Sequence, residues 1–475
     1  MAEPIDSAVI LQDVLNIHQE LYMKNYTEQY ARSGQVVNKY FAPASEIASG
    51  DGITAQNEHG PTDSVRTSTD VLSALASPGM FNPVKVKIRM NQQTPTASDF
   101  TRYSGSAQVT DIDIENAGRG AIVDLVQRVH NQVTPDYEEK KAVLRHLPRT
   151  AQLCSVNGTP KQNDRRVFSN CTATASNTAG MRIQISGGSP AYFKQNWRYD
   201  FYDSTGVTLL AGNVVCTDMP NTGDTGGASI GFAFTSSGTG VQPSQVSTGN
   251  LGSVTTGSLV YISGTKNQGP YSLGAYFGTI AATGDSFIGG VNRESSTYRW
   301  MVPRQTREDA SSNSRITKSM FNDLQIAMNF NDEAGFGVTI TSDLTIHQAM
   351  RDEIGEQSFI QLPITDDRMK RFAQFGINGL IYQSPAFGVV QIVADPLHPA
   401  NVVRVISIQD WMTYYYGFKG LKRLPGDTGA GWYRMNDVAP NTGRGLVWKC
   451  DWYSLECDWC RRPWRCGQIN KVSAA

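Results

Sequence analysis

The sequence has no apolar run approaching the ~20 residues that a membrane-spanning helix needs, so no helix of it is expected to cross a bilayer. It has no excess of charge of either sign: 42 Lys and Arg stand against 43 Asp and Glu, a formal net charge of −1. Without a basic field or a basic stripe, sequence-specific DNA binding is not expected, and short clusters such as Lys140-Lys141 and Arg461-Arg462 read as solvated faces. Cysteine is scarce and odd in number, seven in 475 residues, which fits reduced thiols better than a disulfide framework. The first residues carry Glu3 and Asp6 where a secretion signal needs Lys or Arg, and their apolar patch breaks at Gln12-Asp13. The chain is therefore expected to stay in the cytoplasm where it is made.

Strings that carry chemistry are missing as well. No glycine-rich loop ends in Lys followed by Ser or Thr, and Gly238-Thr239-Gly240 lacks the third glycine of a dinucleotide loop. There is no His-Glu-x-x-His, no Gly-x-Ser-x-Gly and no calcium-loop pattern. The six histidines are scattered, with His130 and His146 on helical stretches where packing or surface roles prevail. Acid pairs such as Asp332-Glu333, Asp352-Glu353 and Asp366-Asp367 diverge from one another on a helix or turn, and read as caps and solvated faces instead of a glycosidase pair. The one metal-like constellation is Cys450, Cys457, Cys460 and Cys466, in which Cys457-x-x-Cys460 is half a zinc knuckle. Cys450 and Cys466 supply no second close pair, and Trp452, Trp459 and Trp464 point to packing at a strand end. No enzyme activity and no cofactor are expected.

What is present is an ordered chain long enough for two or three structural units, 40% hydrophobic and 18% charged, with 44 glycines. Residues 7–30 place Leu15, His18, Leu21 and Tyr22 at helical spacing, and 31–62 then turn polar and Gly-rich, an arm with no core of its own. Val84, Val86, Ile88 and Met90 alternate with Lys85, Lys87 and Arg89, the period-two pattern of a half-exposed strand. Beyond a polar tip from Gln92 to Ser106, Thr110, Ile112 and Ile114 alternate with Asp111, Asp113 and Glu115. Paired antiparallel, the two strands set a basic face against an acidic one in a long hairpin.

Ile122, Leu125, Val126, Val129 and Val133 then lie on one helical face, and Thr134-Pro135-Asp136 restarts a helix carrying Tyr137, Lys141, Leu144 and Leu147. Residues 150–300 lose helical periodicity, and short apolar runs such as Val207–Leu210 and Leu259–Ile262 predict many short strands. Helices return with Ile316, Met320, Leu324 and Met328, with a helix capped by Ser342 through Ile346, Ala349 and Met350, and with one from Asp366 to Phe375. Strand patterns close the chain at 387–393, 402–408 and 446–466.

This order of parts resembles the major capsid proteins of tailed bacteriophages, the HK-ninety-seven-like fold shared with encapsulin cages. Within it, Ser342-Asp343-Leu344 through Ile354-Gly355-Glu356-Gln357-Ser358-Phe359 is similar to a stretch of one branch of that family, as are Gly376-Ile377-Asn378-Gly379, Val393-Ala394-Asp395-Pro396 and Ser407-Ile408-Gln409-Asp410-Trp411. The resemblance implies an α+β capsid fold with an N-terminal arm (1–62), an extended β-hairpin loop (63–118) and a long spine helix of the peripheral domain (119–149). A β-rich insertion (150–300), a peripheral helix and strand (301–340), an axial domain (341–400), and peripheral strands with a C-terminal tail (401–475) would follow. It further implies that Lys85, Lys87, Arg89, Asp111, Asp113 and Glu115 stiffen the loop or pair across subunits during assembly.

The implied function is self-assembly into the icosahedral shell that encloses phage double-stranded DNA, held without sequence specificity. Expected partners are the chain itself in hexamers and pentamers, a separate scaffolding protein, a portal and, as an optional one, a decoration protein; no membrane is expected. The tip from Gln92 to Ser106 holds no lysine, which speaks against the covalent lysine–asparagine weld of some members. The expected location is the virion, after assembly in the host bacterial cytoplasm. The alternatives are an encapsulin-like compartment shell and a β-rich surface or carbohydrate-binding protein.

Overall fold

The computed structural model describes residues 36–57, 84–89, 99–110, 133, 135–162, 180–221, 229–234, 246–278, 287–288, 291–294, 301–308, 310–328, 338–355, 380–384, 388–423, 432–436 and 446–473. The strands run β1 Ala42–Ala48, β2 Gly52–Asn57, β3 Val84–Arg89, β4 Thr101–Thr110, β5 Gln152–Gln162, β6 Gly180–Ser186, β7 Arg198–Tyr202, β8 Leu209–Asn221 and β9 Ser229–Ala233. They continue with β10 Thr248–Gly249, β11 Leu259–Ile262, β12 Phe287–Ile288, β13 Val291–Asn292, β14 Arg304–Thr306, β15 Ser314–Arg315, β16 Val338–Ser342, β17 Leu380–Ser384 and β18 Gly388–Ala394. The last are β19 Val403–Ser407, β20 Trp411–Tyr416, β21 Lys422–Arg423, β22 Trp432–Asn436, β23 Leu446–Cys460, β24 Gly467–Ile469 and β25 Val472–Ser473. Helices occupy 135–146, Leu273–Phe277, Lys318–Met328 and Leu344–Gly355, so the described residues are strand-rich.

The chain divides into two compact units. The first takes its described residues from the segment up to Ala55, from Val86–Ala142 and from Trp411–Trp459; the second takes them from Gln56–Lys85, Val143–Asp410 and Cys460 onward. The first unit is organised by β23. Strand β4 lines one edge of it, in register from Thr101 opposite Glu456 to Thr110 opposite Val447, and β22 and β21 line the other edge. Strand β1 closes the sheet in parallel with β20, where Pro43, which has no N–H to donate, is tolerated because the strand lies at an edge.

Two expectations are corrected in this unit. Residues 36–57 are not a coreless arm: Val37, Tyr40, Ala48 and Ala55 are buried, and Phe41 packs edge-on against Trp411 at 5.3 Å. Local composition hid this because the partner strand lies some 370 residues away in sequence, as the Ala42–Met412 pairing shows. Secondly, Thr101–Ser106 belongs to a strand and not to a polar tip. Among the described residues β3 pairs with β2 and β4 with β23, while the acidic run 111–115 that the hairpin reading set against β3 lies outside the described residues. Alternation predicts a strand, but nothing in it names the neighbour. The expected helices over 7–30 and 366–375 lie outside the described residues.

In the second unit, β8–β7–β11–β5–β6–β9 pair in sequence and β9 returns to β8, which closes a six-stranded antiparallel barrel with β10 appended to β8. Closure depends on the 13-residue β8, whose first half pairs with β7 and whose second half pairs with β9. Register shifts and a left-handed Asn213 (φ 58°) let it turn the corner, as bulges do. A closed barrel leaves no open sheet edge in its ring. Its interior is aromatic: Phe232 contacts Phe193, Tyr199 and Phe201 at centroid distances of 6.0, 5.6 and 5.0 Å. Of the two apolar runs expected to be strands here, Leu259–Ile262 is β11. In the other run Leu209 and Leu210 open β8, while Val207 sits 78% exposed ahead of it, beside the Asp203 turn.

A mixed sheet, β14-β24-β19-β16-β18-β17, forms the rest of this unit's framework. The helix Lys318–Met328 buries Met320, Phe321, Leu324 and Met328, and its core continues through Ile346, Met350, Ile392, Val405 and Ile469. Gly467 permits that approach, since a Cβ there would stand 2.7 Å from Met328 Sδ and 2.9 Å from Leu324 Cδ1. Strand β19, beyond the expected boundary between residues 400 and 401, pairs with β16, whose last residues Thr341 and Ser342 fall in the range expected for the axial domain. The cap of Leu344–Gly355 also differs from expectation. Asp343 Oδ1 accepts from the Ile346 N–H at 3.0 Å, while Ser342 ends β16 with its hydroxyl buried and unpartnered.

Candidate functional site

Of the six residues expected to act in assembly, Lys85, Lys87 and Arg89 lie in β3, whereas Asp111, Asp113 and Glu115 lie outside the described residues. Lys87 Nζ meets Asp51 at 3.1 Å in a pair 46% and 89% exposed, which has little energetic weight. At the end of β3 the chain is pinched: the Arg89 N–H donates to Asp99 Oδ2 at 2.8 Å and the Asp99 N–H donates to the Arg89 carbonyl at 3.0 Å. Asp99 is buried, so this clasp ties together the two described positions that flank residues 90–98.

All four C-terminal cysteines are buried, and each is a thiol outside any disulfide among the described residues. Cys450 and Cys457 belong to the first unit, Cys460 and Cys466 to the second. Burial and a hydrogen bond to Cys466 push the Cys460 thiol well above its ordinary range. Among the described residues no three His, Cys, Asp or Glu side chains are grouped as metal ligands.

The structure brings together two polar centres that sequence reasoning missed. In the first unit Lys141 forms an ion pair with Glu456, with side chains 4% and 2% exposed. Glu456 also accepts from the Tyr137 hydroxyl and from Ser454 Oγ at 2.5 Å, and the Lys141 ammonium lies 5.6 Å from the Tyr137 ring centre. Asn38 Nδ2 donates to the Glu138 carbonyl at 3.0 Å, and Thr413 Oγ1 donates to Asp458 at 2.7 Å. These contacts fasten the helix, the N-terminal segment and β20 into the first unit.

In the second unit His146 Nε2 meets Asp395 Oδ2 at 3.0 Å, and both side chains are 1% exposed. Arg404 reaches His146 Nδ1 at 3.5 Å and donates from Nε to Gln468 Oε1 at 2.9 Å. The His398 ring stands 5.7 Å from that of His146. Burial lowers the pKa of both imidazoles, His398 the further, while Asp395 partly opposes the effect at His146. Burial also lowers Arg404 to about 10. The only advance signal was that Asp395-Pro396 and His398 fall in one short polar run, and nothing in the sequence joined that run to His146. Both centres are sealed from solvent, which suits them to holding segments together and not to turning over a substrate.

No protein-family model matches the sequence, and no curated protein matches it. Among solved structures the chain is similar to a chain of the cyanophage A-1(L) capsid asymmetric unit, at 10% identity over 93% of this chain and 94% of that one, with a TM-score of 0.41. It is also similar to a chain of the satellite phage P4 procapsid with its size-determination protein, at 8% identity over 100% and 93% of the two chains (TM-score 0.35). A third similar chain belongs to Mycobacterium phage Patience, at 10% identity over 98% and 89% (TM-score 0.34).

Proposed function

We propose that this chain is the major capsid protein of a tailed bacteriophage, a structural subunit that self-assembles into an icosahedral shell around double-stranded DNA. The observation that carries the reading is the ribbon of β2 and β3. It consists of two strands with no third among the described residues, with Asp51, Lys87 and Arg89 turned to solvent. Its strand β3 lies where the sequence resemblance sets the extended loop, and β2 lies in the segment that the resemblance sets in the N-terminal arm. A two-stranded ribbon is marginal in water by itself and gains order from a surface that covers it. In a shell that surface is a neighbouring copy, and many modest contacts close the assembly through multivalency.

On this reading β3 and the Arg89–Asp99 clasp at its end belong to the extended loop, and the helix over 135–146 closes the spine helix. The barrel is the insertion, and β16 to β18 with the helix Leu344–Gly355 make up the axial domain. Lys85, Lys87, Arg89, Asp111, Asp113 and Glu115 serve contacts between copies in hexamers and pentamers. A separate scaffolding protein and a portal assist assembly in the bacterial cytoplasm, and a decoration protein is an optional addition. A net charge of −1 suits a wall that contains DNA without gripping it.

Sedimentation velocity of the protein co-produced with its neighbouring genes tests the reading. A single fast boundary of shell size supports it. A chain that stays in monomers to hexamers under those conditions overturns it.

A further inference from the structure

We propose that the buried cluster around His146 and His398 is an acid-sensitive latch, which holds the barrel and the loop following β18 to the end of the 135–146 helix and opens when either imidazole gains a proton. The proposal stands on the second unit alone and does not depend on the shell reading.

The latch draws on several elements packed at this point, among them the helix Leu273–Phe277, whose Phe277 ring centre lies 5.2 Å from the Arg404 guanidinium. The helix end supplies Arg145 and His146; the turn between β6 and β7 supplies Tyr192; the loop after β18 supplies Asp395 and His398; β19 supplies Arg404 and β24 supplies Gln468. Ser189 Oγ adds a direct tie, donating to the Pro396 carbonyl at 3.3 Å. The charged and titratable groups facing His146 are Asp395, Arg404 and Arg145; those facing His398 are Arg404 and His146. Tyr192 faces Arg404, Asp395 and Cys154.

The charge count decides the direction. With both imidazoles neutral, one carboxylate, Asp395, already stands among two guanidinium groups, Arg404 and Arg145. That carboxylate is also committed, accepting from the Leu397 N–H at 2.9 Å and meeting His146 Nε2. His398 Nδ1 lies 3.0 Å from the Pro399 carbonyl oxygen, which fixes it as the N–H donor. His398 Nε2 is left as a bare acceptor, buried and without a hydrogen-bond partner. A proton arriving there creates a buried cation with no counter-ion and with Arg404 beside it, which the fold relieves by separating the elements.

The sign of the pH effect follows. Both imidazoles are held neutral in the folded state, so the unfolded chain binds more protons in mild acid and stability rises with pH. The latch is at full strength above the ordinary histidine value near 6.5 and weakens as pH falls below it. Among the described residues the barrel's aromatic interior and the sheet's aliphatic core contain no buried histidine, so they outlast the latch.

Hydrogen exchange of the full-length protein at pH 7.5 and 5.0, corrected for intrinsic rates, tests this. Residues 187–197 and 395–404 should lose protection by about tenfold or more in acid, while β6 and β16 keep theirs. His398→Gln, which cannot take the proton, should remove most of that loss. Unchanged protection of both segments in the unmodified protein overturns the latch, and this arm stands even if the variant fails to fold. An identical acid response in a folded His398→Gln variant and in a folded His146→Gln variant also overturns it.

Discussion

Lys141 on the 135–146 helix and Glu456 on β23 form an ion pair inside the first unit with both side chains almost wholly withdrawn from water. The pair joins positions far apart in sequence, and Tyr137 and Ser454 complete the carboxylate's partners. Breaking such a pair from one side leaves a buried charge without compensation, which costs far more than the intact pair contributes.

Lys141→Met is therefore expected to destabilise the protein by about 3–5 kcal/mol, and Glu456→Gln by a comparable amount. The double replacement Lys141→Met with Glu456→Leu should cost clearly less than the sum of the single changes. Urea unfolding of the four proteins as a double-mutant cycle reads this coupling directly.

The two candidate caps of the helix Leu344–Gly355 separate cleanly. Asp343→Ala removes the acceptor for the Ile346 N–H and should cost about 1 kcal/mol, within the range for lost N-caps. Ser342→Ala removes only a buried hydroxyl without a partner and should be neutral or slightly stabilising. Thermal unfolding midpoints of the two variants give the order.

Phe232 touches three other rings at the barrel's centre. Phe232→Ala should cost about 3–5 kcal/mol through lost burial and the cavity left behind. The loss should appear as weakened near-ultraviolet circular dichroism and as faster exchange in β6 to β9.

Charge reversal on the ribbon should act on assembly and not on folding. Lys87 is half exposed and its partner Asp51 almost fully so. Lys87→Glu, alone or with Lys85→Glu and Arg89→Glu, should leave the unfolding midpoint of the free subunit unchanged. The yield of large particles in sedimentation should fall.

Local signals were legible and long-range ones were not. The faces of Met320, Leu324 and Met328, and the strand at 446–460, could be read directly because a 3.6 or 2.0 period needs only neighbours in sequence. The pairing of β1 with β20, the closure of the barrel through β8, and the meeting of His146 with Asp395 depend on residues that no local window contains. The ribbon shows both sides of this: alternation marks the strand at 84–89, yet nothing in it names β2, some 30 residues earlier, as a partner. Ser342 and Asp343 illustrate a smaller ambiguity, since either is a good cap and only the strand's endpoint decides between them.

The most direct test of the central claim is electron microscopy of the protein produced with its neighbouring genes and purified by size. The account predicts closed, uniform icosahedral shells built from this chain. Monomers or small oligomers only, with every neighbouring gene present, would contradict it.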